Sequence, residues 1–175
     1  MAKCRLCERK GLFFKVDKNG YCAECAARIA AKRAEAAKIK TERFKLSGLA
    51  HYENNIKSLC EHNDDYDMKK SELRESFEGE KVYALLFDET ITLEPEPDNE
   101  YDTNAVCVKV GDVKIGYVAK SKSKRVKELY ESGTITFVDA EIHGGKYKLV
   151  TEDGDLIKDD VPFFGELIIK YKPKE

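Results

Sequence analysis

Four of the six cysteines stand as two C-x-x-C pairs, Cys4 with Cys7 and Cys22 with Cys25. Each pair can put two thiolates on one metal ion, and four thiolates complete the tetrahedral shell that Zn²⁺ prefers. A four-thiolate iron site and a redox dithiol are the rival chemistries for such a set. No residue beside the motif is placed as a catalytic base, and four protein ligands leave no open position for a substrate. The pattern therefore predicts a structural metal site, with Zn²⁺ the expected ion. His51, Cys60 and His62 follow no common ligand spacing. Asp64, Asp65 and Asp67 lack the alternating oxygen ligands and the glycine of a calcium loop. The first group reads as surface or packing residues, and the second as a loop with helix-capping acids.

The second chemistry-bearing stretch runs from Leu93 to Val118. It begins as an acidic loop broken by Pro95 and Pro97, which cannot both sit inside a helix or a central strand. Asn99, Tyr101, Asp102 and Asn104 then place amide, aromatic and carboxylate groups on a short loop. Residues 105–110 read as a strand, Gly111-Asp112 as a tight turn and residues 113–118 as the partner strand. A hairpin with a polar loop at its mouth is a binding scaffold.

The ordered string Glu96-Pro97-x-Asn99-x-Tyr101-Asp102-x-Asn104-Ala105-Val106-x-Val108, followed by Ile115-Gly116-Tyr117-Val118, closely resembles the HIRAN domain. That family occurs fused to helicase-like DNA-repair ATPases and also free-standing. The resemblance implies a small OB-like β-barrel over roughly half of the chain, binding single-stranded DNA through a pocket for the 3′ end. It puts Tyr101 and Asp102 in that pocket, the ring to stack on a terminal base and the carboxylate to accept from a terminal hydroxyl or base edge. Asn104 would brace the loop through backbone bonds. Tyr117 is a second aromatic candidate, with burial in the barrel an equal role for it. Lys120, Lys122, Lys124, Arg125 and Lys127 form the dense basic cluster of this half, suited to phosphates. Two positions depart from the family. Pro95 stands where an arginine is usual, and Glu100 replaces the proline usual before Tyr-Asp. Glu94, Glu96, Asp98 and Glu100 therefore crowd the expected mouth, and each carboxylate without a counter-charge near a phosphate costs affinity.

The elements that must position these groups follow from pattern. Between the cysteine pairs, Leu12–Val16 reads as a strand and Lys18-Asn19-Gly20-Tyr21 as a turn. The second pair opens onto a helix, whose amino terminus favours thiolates. Knuckle, hairpin and helix in that order resemble a treble-clef or zinc-ribbon finger. Ala26–Lys45 is rich in Ala, Lys, Arg and Glu and is expected to be helical. Leu49, Tyr52, Ile56 and Leu59 share one face of a second helix, and a short helix is expected through Leu73 and Phe77. From residue 81 onward short strands dominate: 82–87, 90–93, the hairpin above, 134–142, a turn at His143-Gly144-Gly145, 146–150, and a closing strand at 164–171. A helix at 120–132, stopped by Gly133, interrupts them. The expected class is α+β: a finger at 1–27, a helical connector at 28–79, and an OB-like barrel with one inserted helix at 80–175.

The chain carries 31 basic and 33 acidic residues, so its overall charge argues neither for nucleic acid nor for a membrane. The charges are nevertheless segregated. Residues 1–45 hold 13 basic and 5 acidic side chains, and residues 46–100 hold 5 basic and 15 acidic ones. The basic segment reads either as an arm for phosphate or as a solvated connector helix. No apolar run reaches the length of a membrane span and no secretory core opens the chain, so a cytoplasmic location is expected. No Walker loop, Gly-x-Ser-x-Gly elbow or His-Glu-x-x-His appears. A nuclease built on Asp102 and its acidic neighbours is the weakest reading, since nucleophile, base and stabiliser do not occur together. Two classes remain. One is a non-catalytic module for single-stranded DNA or another nucleic acid. The other is an adaptor that docks a protein partner through the 28–79 helices.

Overall fold

The computed structural model describes residues 2–11 and 13–174. They divide into two compact units, residues 1–40 with 172–175 and residues 41–171.

In the smaller unit, α1 spans Ala23–Ala37. It starts directly behind Cys22, and Cys25 is the residue it buries. Cys4, Cys22 and Cys25 form the centre of this unit, with Cys7, Phe14, Val16 and Tyr21 packed around them. Leu12, the first residue of the strand expected over 12–16, lies outside the described residues. Phe13 sits in a turn, and residues 14–16 join no ladder. The turn at Asn19-Gly20 is present, with Gly20 in the left-handed region at φ 83°. The helix expected through Lys45 ends at Ala37. Lys40–Ser47 is instead a strand, β1, in which Phe44 and Leu46 are buried and Lys45 and Ser47 are exposed. That two-residue alternation outweighs helix propensity once a sheet is there to receive it.

The larger unit is mixed α and β. After β1, Gly48 adopts φ 74° and turns the chain into a 3-10 turn at Leu49–Tyr52, which runs on into α2, Glu53–Leu59. The short strand β2, Glu61–His62, a 3-10 turn at Asp64–Asp67 and α3, Lys70–Phe77, lead to β3, Lys81–Tyr83, and β4, Leu85–Leu86. Then come β5, Thr92–Pro95, β6, Val106–Val110, and β7, Val113–Val118. Helix α4 spans Lys120–Glu131, and the long strands β8, Ile135–Val150, and β9, Leu156–Tyr171, complete the unit.

Seven strands form one sheet in the order β3-β8-β9-β1-β7-β6-β5, and β2 pairs with β4 separately. The sheet is antiparallel along β5-β6-β7-β1 and along β3-β8-β9. Strands β3 and β5 are its two edges, so it does not close on itself and the barrel is an open one. Val106, Val108, Ile115 and Val118 from the β6–β7 hairpin bury against Val126 and Leu129 of α4 and against Leu167 and Ile169 of β9. Phe44 and Leu46 bring β1 into the same core. Apolar area removed from water by such a cluster is the main favourable term in folding.

No hairpin turn occurs at His143-Gly144-Gly145. The chain continues as one strand of sixteen residues beside β9, with a register shift between His143 and Gly145. Gly144 has φ 150°, and a Cβ there would lie 2.5 Å from Phe163 Cα. The glycines thus form a bulge that bends a continuous strand, not a reversal. Among the described residues, no helix is long and apolar enough to cross a membrane.

Candidate metal centre and nucleic-acid interface

The metal centre is assembled from two local turns in the smaller unit. In the first, Cys4 N–H donates to Arg9 O (2.9 Å) and Glu8 N–H donates to Cys4 O (3.0 Å), with Glu8 at φ 60°. In the second, the Asp17 carboxylate accepts from Asn19 N–H and Tyr21 N–H, both at 2.9 Å, and closes the loop that delivers Cys22. Arg5 N–H donates to Gly20 O (2.9 Å) and ties the two turns together. An exposed ion pair from Arg9 to Glu24 at 2.8 Å spans from the first turn to α1.

All four sulfurs, of Cys4, Cys7, Cys22 and Cys25, lie within 4.8 Å of one another. Cys7 and Cys22 are 3.8 Å apart at Sγ, too far for a disulfide. A tetrahedron with metal–sulfur bonds of about 2.3 Å has edges of about 3.8 Å, so the donor set fits one four-coordinate ion. The thiols differ. Cys7's backbone amide is the largest influence on Cys4 and, with Cys22 N–H at 3.3 Å, holds that thiol down at about 6. Burial pushes Cys25 up to about 12. A divalent cation among the four sulfurs would favour the thiolate form of all of them.

The second site is a cavity of about 350 Å³ in the larger unit, lined by Ser47, Tyr52, Asn99, Tyr101, Asp102, Ala105, Tyr117, Val118 and Lys120. Its floor is the pairing of β1 with β7, where Ser47 lies opposite Tyr117. Gly116 lets the strands approach, since a Cβ there would stand 3.0 Å from Ser47 O. The turn after Gly48 brings in Tyr52, whose ring centroid lies 6.3 Å from that of Tyr117. Tyr101, at 84 % exposure, stands at the mouth.

The loop bearing Tyr101 is braced by its own side chains. Asn99 Oδ1 accepts from Tyr101 N–H (3.0 Å) and Asp102 N–H (3.2 Å). Asp102 accepts from Asn104 N–H (2.9 Å) and from the hydroxyl of Ser123 (2.7 Å), which is only 2 % exposed. The Ser123 hydroxyl first, then the Asn104 amide, hold the Asp102 carboxyl below its ordinary range. Bracing thus rests on Asn99 and Asp102, and Asn104 takes part through its backbone.

Beneath the loop Glu96 accepts from Lys114 Nζ (2.7 Å), Tyr117 OH (2.9 Å) and Asn99 Nδ2 (2.9 Å). Burial alone pushes Glu96 up, but these three donors bring it below the usual carboxylate range. Burial likewise works against the Lys114 ammonium, and Glu96 and Tyr117 outweigh it to raise its pKa. Glu94 is paired with Lys109. Two of the four carboxylates expected to crowd the mouth are therefore neutralised in place.

The basic residues of α4 separate into two groups. Lys120 Nζ donates to Tyr101 O and Lys127 Nζ to Thr103 O, both at 2.9 Å. Lys124 lies between them on the same helical stripe and is exposed. Arg125 points elsewhere: its guanidinium pairs with Glu42 (2.7 Å) and donates to Tyr171 OH (3.0 Å). Lys122 is exposed, and its charge acts on the same Glu42. The structure thus brings together Tyr101, Asp102, Tyr117 and Lys120, flanks them with Lys124, and sets Lys122 and Arg125 apart. Ser47, Tyr52 and Ser123 were not legible as site residues. Their places depend on β1 meeting β7 and on α4 packing under the loop, and no local pattern reports either.

The HIRAN domain family matches residues 76–151, fewer than half of the 175 in the chain. The matched segment contains every pocket residue except Ser47 and Tyr52. No curated protein and no solved structure matches the chain.

Proposed function

From the HIRAN domain in the second half of the chain, we propose that the unit at 41–171 is a non-catalytic module that binds single-stranded DNA at the 350 Å³ cavity and takes in a strand end there. The observation that carries this reading is the exposed Tyr101 ring at the mouth of a pocket walled by two further tyrosines, Tyr52 and Tyr117. Single strands are held by aromatic stacking platforms combined with cations along the backbone. Here Tyr101 is the platform, and Lys120 and Lys124 are the cations beside it.

Asp102 has its role in the same pocket. Two of its acceptor positions are taken by Ser123 and Asn104, and a carboxylate offers about four. What remains accepts from a terminal hydroxyl or a base edge. A carboxylate held ionised and braced in this way is suited to accepting a hydrogen bond, not to shuttling a proton. The cysteine set in the finger fits Zn²⁺, and the ion's work there is to hold the fold.

The test is fluorescence anisotropy with a labelled single strand. Tyr101→Ala is expected to weaken binding by about 1–3 kcal/mol, the range for one stacking contact. Unchanged affinity in a folded variant removes Tyr101 from the site.

A further inference from the structure

Taken as a whole, the larger unit carries the wrong sign of charge to attract a polyanion. Residues 41–171 hold 18 basic and 28 acidic side chains, a net charge of −10. The smaller unit has 13 basic and 5 acidic side chains in 44 residues, a net charge of +8. Most of the affinity of a nucleic-acid-binding protein at moderate salt comes from counterions released by its cations. For a chain that binds nucleic acid, the net positive finger is the unit that can add to what Lys120 and Lys124 supply beside the pocket.

The finger has a place for it. A cavity of about 640 Å³ lies between the Asp17–Tyr21 turn and one face of α1. Arg5, Lys18 and Arg33 line it with Tyr21 and Ile29, and Asp17 is the acidic residue in its wall, three cations to one carboxylate. Among the described residues, the acidic side chains of this unit are already engaged. Glu8 pairs with Lys3, Glu24 with Arg9 and Glu35 with Lys172 and Lys38, while Asp17 accepts two backbone N–H groups of its own turn. Among the described residues, none of the three groove cations forms an ion pair. The stem of Arg5 is held against the turn, where a Cβ on Gly20 would meet Arg5 Cδ at 2.9 Å. A guanidinium positioned in this way loses less rotamer freedom when it forks onto a phosphate. The half-buried Tyr21 ring gives the groove an apolar surface beside its cations.

We infer that the groove bounded by Arg5, Lys18 and Arg33 is a second nucleic-acid contact, one that takes the phosphodiester backbone without reading an end. This rests on the reading of the larger unit as a nucleic-acid binder. It divides the work: the finger supplies salt-dependent affinity for phosphate, and the tyrosine pocket supplies selection.

The experiment uses the full chain, Arg5→Gln/Lys18→Gln/Arg33→Gln, and a labelled single strand with a blocked 3′ end. Anisotropy is measured over a range of salt concentrations. Each phosphate neutralised on a single strand contributes about 0.7 to the slope of log K against log salt, so the triple variant is expected to lower that slope by about 2. Metal content equal to that of the parent reports an intact finger. If loss of the Arg5 contact disturbs the fold, Lys18→Gln/Arg33→Gln is used, with an expected fall of about 1.4. A slope unchanged in a metal-loaded variant overturns the inference, and it does so whether or not Tyr101→Ala weakens binding. A lowered slope in the triple variant with no effect of Tyr101→Ala supports the groove and counts against the pocket. Salt-sensitive self-association in sedimentation, lost in the triple variant while its DNA slope stays unchanged, would overturn the inference in favour of a second copy's acidic unit.

Discussion

Replacing Glu96 by alanine is predicted to loosen the pocket and the larger unit together. The wild-type carboxylate accepts three hydrogen bonds, from Lys114, Tyr117 and Asn99. The Glu96 and Lys114 side chains are 25 % and 29 % exposed, so the pair is neither a surface bridge nor a fully buried one. Removing one partner of a buried pair costs about 3–5 kcal/mol and a surface pair is worth about 0–1, which brackets this case near 2 kcal/mol. For a unit spanning residues 41–171, 1 kcal/mol moves Tm by about 3–5 °C, so a fall of about 8 °C is expected. Glu96→Gln keeps hydrogen-bonding capacity and loses the charge, and about half that fall is expected. A cycle with Lys114→Met should return a coupling energy of about 1–2 kcal/mol by thermal or urea unfolding. Because Asn99 also holds Tyr101 N–H and Asp102 N–H, Glu96→Ala should weaken DNA binding too. The pH dependence has a definite sign. The folded Glu96 pKa is depressed, so its contribution is fully present above the ordinary glutamate value of about 4.3 and is lost as pH falls through the folded value. A Tm change under 2 °C, or a coupling energy below about 0.5 kcal/mol, would refute this account of how the loop is held.

Chelation of the metal should abolish the finger fold while leaving the larger unit folded. Binding of a structural Zn²⁺ is worth about 10–16 kcal/mol in comparable small sites, and amide NMR shifts of residues 2–37 would report its loss. Gly144→Ala is expected to destabilise the larger unit by 2 kcal/mol or more, about 6–10 °C in Tm. The new methyl group would fall 2.5 Å from Phe163 Cα at a backbone φ of 150°. Arg125→Gln should lower stability measurably through its contacts with Glu42 and Tyr171 and leave the salt slope of DNA binding unchanged, since the guanidinium is committed within the fold. A drop in that slope of about 0.7 would return Arg125 to the phosphate-binding set.

The β6–β7 hairpin was readable in the sequence because both of its signals are local. Two apolar, β-branched runs flank a Gly-Asp turn, and Val110 does pair with Val113 across it. The same holds for α4, where Val126 and Leu129 mark the buried face and Gly133, at φ 63°, follows the end. The cysteine cluster was equally legible, since C-x-x-C spacing needs only two short turns. Strand β1 was not. The run before it is so rich in helix formers that propensity extends the helix into Phe44, and the information that overrides it lies in β7, where Leu46 pairs with Val118. Gly144-Gly145 misled for a related reason. Two glycines signal a reversal or a bulge equally well, and the pairing that decides between them, His143 opposite Phe164 and Gly145 opposite Val161, is long-range. The α+β class and the Tyr101 loop could therefore be read directly. The pocket's other wall, Tyr52, could not.

Whether the Tyr101 pocket takes in the end of a single strand is decided by anisotropy with three labelled oligonucleotides of one sequence, ending in a free 3′-hydroxyl, a 3′-phosphate and a blocked 3′ group. Binding is expected to be tightest to the free hydroxyl, with the preference reduced by both Tyr101→Ala and Asp102→Asn and unaffected by the three finger substitutions. Equal affinity for all three ends would contradict it, leaving a protein that holds phosphate and does not read a terminus.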